Sequence, residues 1–275
     1  MRQGFDIRVI SPEGTTFQRK TLDKSDAEGK YVRNRIPFKL EFDETLQPNF
    51  GRVTLINVND QHRSEFKKGE EMTLKIGWLP EEENNKFISD VDIINTKTYV
   101  RDEGTTQDLD VMFRDTPKLY HQHTISKKWG RGTDVEAVLR YILEEELGVD
   151  IGHWSCKTSK TYDRGKSFYL PAAQAIRQVS SNLKVKMFFY NKKAYVMPVD
   201  EPPPSGVQLD GNKIMKGPFT KAGTNKELIA QMEPNIKPGH KFRIKTESLK
   251  GNFSVYSGKH TSRDGTKLYT ILRFN

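Results

Sequence analysis

Residues Leu228–Ile244 read LIAQMEPNIKPGHKFRI, and residues Gly251–His260 read GNFSVYSGKH. Proline fixes one backbone torsion and glycine tolerates positive φ, so Pro238 and Gly239 predict a tight turn before a strand. Gly251 is predicted to form a hairpin corner, and His260 is predicted to end the returning strand before a last turn. Any antiparallel barrel could carry one such turn. The order and spacing of these turns together form a more specific pattern than any one of them alone.

Residues 201–275 are predicted to form one β unit around this stretch. The unit begins at the proline-rich segment Glu201–Gly206, which is predicted to be a linker because proline has no amide to donate to a sheet. The strands are predicted at Lys241–Thr246, Gly251–Ser257 and Lys267–Phe274, with a turn at Arg263–Gly265.

Upstream of the linker, a period of 3.6 residues over residues 133–148 predicts an amphipathic helix. Thr133 and Glu136 have the spacing of a capping box, in which each side chain satisfies the other residue's orphan amide. Gly148 follows the last apolar residue as a stop signal. The apolar face consists of Val135, Val138, Leu139, Ile142, Leu143 and Leu147.

A second helix is predicted from Pro171 to Leu183, because proline suits the first turn of a helix. Val185–Tyr190 and Ala194–Met197 flank the polar turn residues Asn191–Lys193 and are predicted to form a hairpin. Residues 119–200 are therefore predicted to be an inserted α+β module.

Residues 1–118 are predicted to form another antiparallel β domain, a barrel or a sandwich, so the fold class is mainly β with one inserted α+β module. Phe5–Val9 alternates with polar residues and stops at the turn Ser11–Gly14. The polar stretch Asp23–Arg35 is predicted to be a long loop or an arm, and Glu81–Asn85 a solvated loop tip. Further strands are predicted at Phe38–Phe42, Arg52–Val58, Met72–Trp78, Phe87–Ile94 and Leu109–Phe113.

The composition excludes several classes of protein. The chain has 275 residues and one cysteine, Cys156, so neither an intramolecular disulfide nor a site with several thiolates can form. The mean hydropathy is -0.73, and no stretch has the length and apolarity of a membrane span. Residues 1–6 show no apolar signal core, and we expect a soluble protein without an export signal.

The formal net charge of +9 is unevenly distributed. Residues 1–115 carry 18 basic and 22 acidic side chains, which leaves 27 and 14 for residues 116–275. A basic half is compatible with nucleic acid, an anionic lipid surface, an acidic protein partner or simply a solvated surface.

Two histidine pairs could contribute to a metal site. His121 and His123 have the spacing that places two imidazoles on one face of a strand, and His153 precedes Cys156 by three residues. Neither pair has a further ligand at a characteristic spacing, so no metal site is predicted. A Cys-His nucleophile has no accompanying hydrolase signature.

No catalytic or cofactor-binding motif stands out either. Gly104 is isolated, and Gly130 and Gly132 are not followed by the strand and helix of a phosphate-binding loop. Glu144–Glu146 lies on the exposed side of the first helix. The sequence predicts no enzyme and no cofactor, and it assigns no residue to catalysis, to a metal or to a partner.

Nucleic-acid binding is the main alternative. Lys184–Lys193 reads KVKMFFYNKK, in which basic residues alternate with aromatic ones. This stretch could form a stacking platform with a charged border. Alternation along a strand also predicts that half of its aromatic residues face a core.

The C-terminal third resembles the closing β domain of baseplate hub proteins of tailed bacteriophages, the group that includes late control protein D. The shared pattern starts with hydrophobic-x-Pro-x-Ile-x-Pro-Gly at Met232–Gly239. It continues with Gly-x-aromatic-x-Val at Gly251–Val255 and with His260 before a glycine turn.

The resemblance extends over most of the chain. Arg52–Val58, followed by Lys68–Trp78, is similar to the first barrel of the hub proteins, and residues 133–198 are similar to their inserted module. Residues 15–36 have no counterpart, and Ser89–Val91 stands where the family often has a glycine.

The resemblance implies two β domains related to tail-tube subunits, at residues 1–118 and 201–275, with the module at residues 119–200 outside. Three copies would then form a ring with pseudo-sixfold symmetry between a hexameric tail tube and a central spike. The implied partners are further copies of the chain, the tail tube protein, a spike or tail-tip protein and the tape measure protein. The implied location is the tail baseplate of the virion, assembled in the host cytoplasm, without a specific nucleic-acid partner.

Overall fold

The computed structural model describes residues 5–21, 36–79, 86–101, 106–157, 159–200, 204–220, 226–247, 249–262 and 267–274. The strands are β1 (Phe5–Ile10), β2 (Thr16–Thr21), β3 (Phe38–Asp43), β4 (Phe50–Leu55), β5 (Glu71–Trp78), β6 (Lys86–Arg101), β7 (Thr106–Arg114), β8 (Thr124–Trp129), β9 (Ile151–Trp154), β10 (Lys166–Pro171), β11 (Val185–Tyr190), β12 (Lys193–Pro198), β13 (Pro204–Asp210), β14 (Ile214–Thr220), β15 (Lys226–Gln231), β16 (Lys241–Lys245), β17 (Lys250–Ser262) and β18 (Tyr269–Phe274). The helices are α1 (Asp60–Arg63), α2 (Lys118–Gln122), α3 (Val135–Tyr141) with a π-helical continuation at Ile142–Glu146, and α4 (Ala172–Leu183).

One large sheet dominates the molecule and confirms the mainly β fold class. Its strand order is β14-β15-β18-β17-β3-β4-β7-β6-β5-β1-β2, and it is extended by β16, which pairs with β17, and by β13, which pairs with β16. The strands follow the period of two that their sequences show: in β3, Phe38, Leu40 and Phe42 are buried, whereas Lys39 and Glu41 are exposed. Two smaller sheets, β8-β10 and β9-β12-β11, belong to the inserted segment.

The hairpin β11-β12 lies between two hydrophobic cores. Phe188 and Tyr195 face a core that is shared by the β strands before and after the inserted segment. Phe189 and Val196 face a second core, built from α3, α4 and their surroundings. Because successive side chains of a strand point to opposite faces, one hairpin supplies a wall to both cores.

The two helices predicted from periodicity are confirmed, with a correction to the first one. Its N-cap is Asp134, whose carboxylate accepts a hydrogen bond from the Glu136 amide, and Thr133 instead donates to the Gly130 carbonyl. The Glu136 carboxylate accepts from the Trp154 indole at 2.6 Å. The predicted capping box is therefore wrong, because both of its side chains have other partners.

Other predictions also need correction. The proline-rich segment is not entirely a linker, since β13 begins at Pro204, which pairs with Lys241 at the start of an edge strand where a missing amide is tolerated. His260 lies inside β17 rather than at its end, and Gly251 follows the turn instead of forming its corner. Several short strands were not predicted, namely β2, β8, β9, β10, β14 and β15.

Four predictions concern residues outside the described ranges. They are the arm at Asp23–Arg35, the loop tip at Glu81–Asn85, the isolated Gly104 and the turn at Arg263–Gly265. Among the helices of the described residues, none has the length and apolar character needed to cross a bilayer.

Candidate assembly surface

The β strands on either side of the inserted segment form two units with the same strand order. The first unit is ordered β3-β4-β7-β6-β5-β1, and the second is ordered β14-β15-β18-β17-β16-β13. By position in these two orders, β3 corresponds to β14, β4 to β15, β7 to β18, β6 to β17, β5 to β16 and β1 to β13. The pairings are antiparallel in both units except that β13 runs parallel to β16.

Backbone hydrogen bonds at one turn of each unit support this match. The Gly69 amide donates to the Ile93 carbonyl at 2.8 Å, and the Gly239 amide donates to the Val255 carbonyl at 2.7 Å. Both glycines have positive φ, +90° and +71°. The amides of Ile93 and Val255 in turn donate to the residue that follows each glycine, at 2.9 and 3.1 Å. Two turns that require left-handed backbone therefore occupy equivalent positions.

The long hairpins of the two units share the same bulge. The register shifts between Ile93 and Asn95 in β6, and between Val255 and Ser257 in β17. Because a bulge adds one residue to one strand at a fixed point, it aligns Asn95 with Ser257. The two units are thus an internal structural repeat. No fixed period in the sequence predicts it, although the resemblance to hub proteins implies two related β domains.

The two units join edge to edge through β3 and β17. This pairing is antiparallel and runs from Ser257 opposite Asp43 to Ser262 opposite Phe38. The Thr261 hydroxyl donates to the Phe38 carbonyl at 2.9 Å across the junction. We call this pairing the internal seam.

Gly258 lies in the internal seam at a point where there is no room for a side chain. A Cβ atom at this position would lie 2.6 Å from the Ile271 carbonyl oxygen and 2.7 Å from the Phe42 ring. Gly258→Ala is expected to lower the free energy of unfolding by about 1–3 kcal/mol through overpacking. Chemical denaturation checks this, with Gly211→Ala as the control because no atom lies within 4 Å of its Cβ position. An equal effect of both substitutions would contradict the close contact.

A groove of about 620 Å³ runs over the exposed face of the internal seam. Glu41, Lys259 and Arg273 line it together with Phe50, which is 47% exposed. Its charges are largely paired: Lys39 contacts Glu41, and Arg273 contacts Glu227 at 3.2 Å.

His260 is buried beneath the internal seam and packs as a neutral ring. Its exposure is 0%, and its ring lies 4.9 Å from the Phe42 ring. Burial lowers the pKa of His260 to about 3 because the charged imidazolium would lose its hydration. The Nδ1 atom lies 3.0 Å from the Thr270 hydroxyl. The histidine noted in the sequence therefore contributes to the core.

Asp115 links the first unit to the hairpin β11-β12, which we call the wall hairpin. Its carboxylate accepts from the Asn191 amide at 2.9 Å and from the Asn49 side chain at 3.3 Å. Asn191 and Lys192 both have positive φ, which is typical of the tight two-residue turns that close hairpins. Burial raises the pKa of Asp115 to about 7, although the Asn191 and Asn49 hydrogen bonds act in the opposite direction.

The histidine pairs do not converge on a metal site. His121 and Gln122 lie in α2 and not in a strand, and His123 follows the helix and contacts Glu146 at 2.7 Å. The His153 ring lies 6.2 Å from the His240 ring. Cys156 is half-buried beside the second core. No three potential metal ligands come together among the residues that the structure describes.

Lys184–Lys193 does not form the stacking platform that was the alternative to a core strand. Its aromatic residues, Phe188, Phe189 and Tyr190, are at most 3% exposed. Both faces of β11 meet a core, whereas the sequence pattern predicted only one buried face. The aromatic rings are therefore not available to stack on bases.

Four exposed apolar side chains lie on the edge strand β14 and on the end of β6 that extends past β5. Tyr99 and Val100, near the end of β6, are 38% and 63% exposed. Met215 and Phe219, on β14, are 51% and 43% exposed. Within the described residues, β14 pairs only with β15, and residues 95–101 of β6 pair only with β7. Unpaired strand edges with exposed apolar residues are sites at which another strand can be added.

Two solved structures with a similar fold are tail proteins. A tail protein from Neisseria meningitidis MC58 has a TM-score of 0.64 at 9% identity, over 98% of this chain and 96% of that chain. The 43 kDa tail protein of prophage MuSo2 from Shewanella oneidensis has a TM-score of 0.66 at 9% identity, with the same two coverages. This chain has the fold of phage tail proteins.

The same fold extends to a secretion-system protein. The c3393 protein of E. coli is a component of the type VI secretion system with structural similarity to the bacteriophage T4 tail proteins gp27 and gp5. Its TM-score is 0.61 at 8% identity, over 90% of this chain and 75% of that chain. At the level of sequence, no family model and no curated protein matches.

Proposed function

We propose that this protein is a structural subunit of a phage-type tail baseplate. In this role, three copies form a hub ring that joins a sixfold tail tube to a threefold central spike. The observation that carries the proposal is the repeat of two β units joined side by side in one sheet. Three such chains contain six similar units, which is the number needed to match threefold to sixfold symmetry. The full-length likeness to tail proteins supports the same role.

The proposed role is structural rather than catalytic. The partners would be two further copies of the chain, the tail tube protein, a spike or tail-tip protein and the tape measure protein. The protein would reside in the tail baseplate of the virion after assembly in the host cytoplasm. The division at residues 118 and 200 remains a prediction, in which the inserted module lies outside the ring.

Light scattering tests the ring. At two protein concentrations and two salt concentrations we expect a mass of three times 31.7 kDa that persists at the higher salt. Electron microscopy of the same sample should show a ring with six similar lobes. A monomer under all four conditions would contradict the proposal. Binding to DNA that weakens by roughly a thousandfold over a fourfold increase in salt would favour the nucleic-acid alternative.

A further inference from the structure

We propose that the copies of this chain join through β14 of one copy and the end of β6 of the next. This inference rests on the proposed ring and identifies the strands that close it. The free edge of β14 would pair, antiparallel, with residues 98–101 of β6 in the neighbouring copy. We call this pairing the external seam.

The internal seam is the template. Within the chain, β3 of the first unit pairs with β17 of the second unit. In the repeat, β3 corresponds to β14 and β17 corresponds to β6. A ring of six similar units needs the same junction between copies as within each copy, and that junction joins β14 to β6.

Both edges are open at the required positions. In β17, residues 250–254 pair with β16, and residues 257–262 pair with β3. In β6, residues 86–92 pair with β5. Residues 95–101 of β6 then pair only with β7 in the described part of the chain, so the position corresponding to β3 is unfilled. On its outer side β14 likewise has no partner strand among the described residues.

The register of the external seam follows from the aligned bulges. Because Asn95 corresponds to Ser257, Tyr99 corresponds to Thr261, which lies opposite Lys39 in the internal seam. Met112 of β7 and Arg273 of β18 are equivalent, because they lie opposite Asn95 and Ser257. Arg52 of β4 and Glu227 of β15 lie opposite these two residues and are therefore also equivalent. Lys39 pairs with Arg52 and Phe219 pairs with Glu227, so Phe219 occupies the position of Lys39. Phe219 should therefore lie opposite Tyr99 of the next copy.

The exposed aromatic side chains support this register. Tyr99 and Phe219, which the register places opposite each other, are 38% and 43% exposed. Directly opposed aromatic residues on neighbouring strands stabilise a sheet.

Site-specific cross-linking tests the pairing. In a Cys156→Ala background, one protein carries Tyr99→Cys and a second carries Phe219→Cys. Neither chain can cross-link these positions within itself, so a product in the mixture joins two copies. A short bismaleimide should give at least about tenfold more covalent dimer from this mixture than from a control mixture, because pairing raises the effective thiol concentration. The control pairs Phe219→Cys with Ile88→Cys, which is similarly exposed at 45% and lies on the same strand where β6 pairs with β5.

The outcomes separate the seam from the ring. A trimeric mass with the 99–219 product in excess supports both. A trimeric mass with equal yields in the two mixtures overturns the external seam and leaves the ring in place. A monomeric mass in the background protein overturns the ring and the seam together.

A charge variant gives a second measurement. Phe219→Asp should raise the protein concentration at which half of the chains are trimeric by at least about tenfold, because it places a carboxylate in each apolar seam. Ile88→Asp is the matched control and should leave this concentration unchanged. Circular dichroism of both variants checks that each chain is folded. An unchanged trimer in Phe219→Asp would overturn the external seam.

Discussion

Phe188→Ala is expected to lower the free energy of unfolding by about 3–5 kcal/mol, the range found when a large aromatic residue is removed from a core. Phe188 is 0% exposed, and its ring stacks on the Tyr195 ring at 5.3 Å with an interplanar angle of 4°. A Cβ at Gly239 would lie 2.6 Å from the Phe188 ring, so the second β unit packs directly against this ring. The surroundings are rigid strands that cannot collapse into the space left by the ring.

Chemical denaturation with fluorescence detection measures this loss. The matched control is Tyr169→Ala, because Tyr169 is an aromatic residue that is 83% exposed on β10. The control should change the free energy of unfolding by less than about 0.5 kcal/mol. If Phe188→Ala had an effect as small as the control, the hairpin β11-β12 would not be a shared wall.

The sequence was sufficient to predict elements whose pattern is local. The hairpin strand Val185–Tyr190 has the predicted bounds, and α4 begins at Ala172, one residue after the predicted start at Pro171. What the pattern could not show was that both faces of this hairpin are buried. Period-two alternation distinguishes two faces of a strand, but an apolar run such as Met187–Tyr190 is consistent with one core or with two.

The repeat does not appear as a sequence period because few side chains are the same in the two units. Residues 67–75 read KKGEEMTLK and residues 237–245 read KPGHKFRIK, which share only the two lysines and the glycine. The equivalent hydrogen bonds of Gly69 and Gly239 are backbone bonds, and side-chain identity does not determine them.

The candidate assembly surface was out of reach of sequence reasoning for a related reason. A strand edge is a row of backbone groups, and whether it is open depends on which strands lie beside it. Phe219 and Tyr99 are more than 100 residues apart in the chain. Only the strand order and the bulge positions show that they occupy complementary places in the repeat.

The unfolding free energy should depend on Asp115 between about pH 4 and pH 7. The carboxyl titrates near 3.9 in an unfolded chain, whereas burial raises the pKa of Asp115 to about 7 in the folded protein. Between these values the folded protein holds a proton that the unfolded chain has released. The stabilising contribution of the neutral carboxyl is therefore complete below about pH 4 and is lost as the pH rises through 7.

Asp115→Asn isolates this contribution, because asparagine stays neutral over the whole range. The difference in unfolding free energy, variant minus parent, should increase by about 4 kcal/mol from pH 4 to pH 8, since one pKa unit corresponds to about 1.36 kcal/mol. We compare variant and parent because the parent's stability also depends on His260, in the opposite direction. Burial lowers the pKa of His260 to about 3, so the stability that its neutral ring contributes is lost as the pH falls from 6.5 towards 3.

Asp163→Asn is the control for Asp115, because Asp163 is exposed in the segment before β10. Because Asp163→Asn also removes one carboxylate, it shows how much of any change comes from that loss alone. A constant difference for Asp115→Asn between pH 4 and pH 8 would mean that Asp115 is hydrated or ionised over this whole range. The first β unit would then not be linked to the Asn191 turn by a buried, neutral carboxyl.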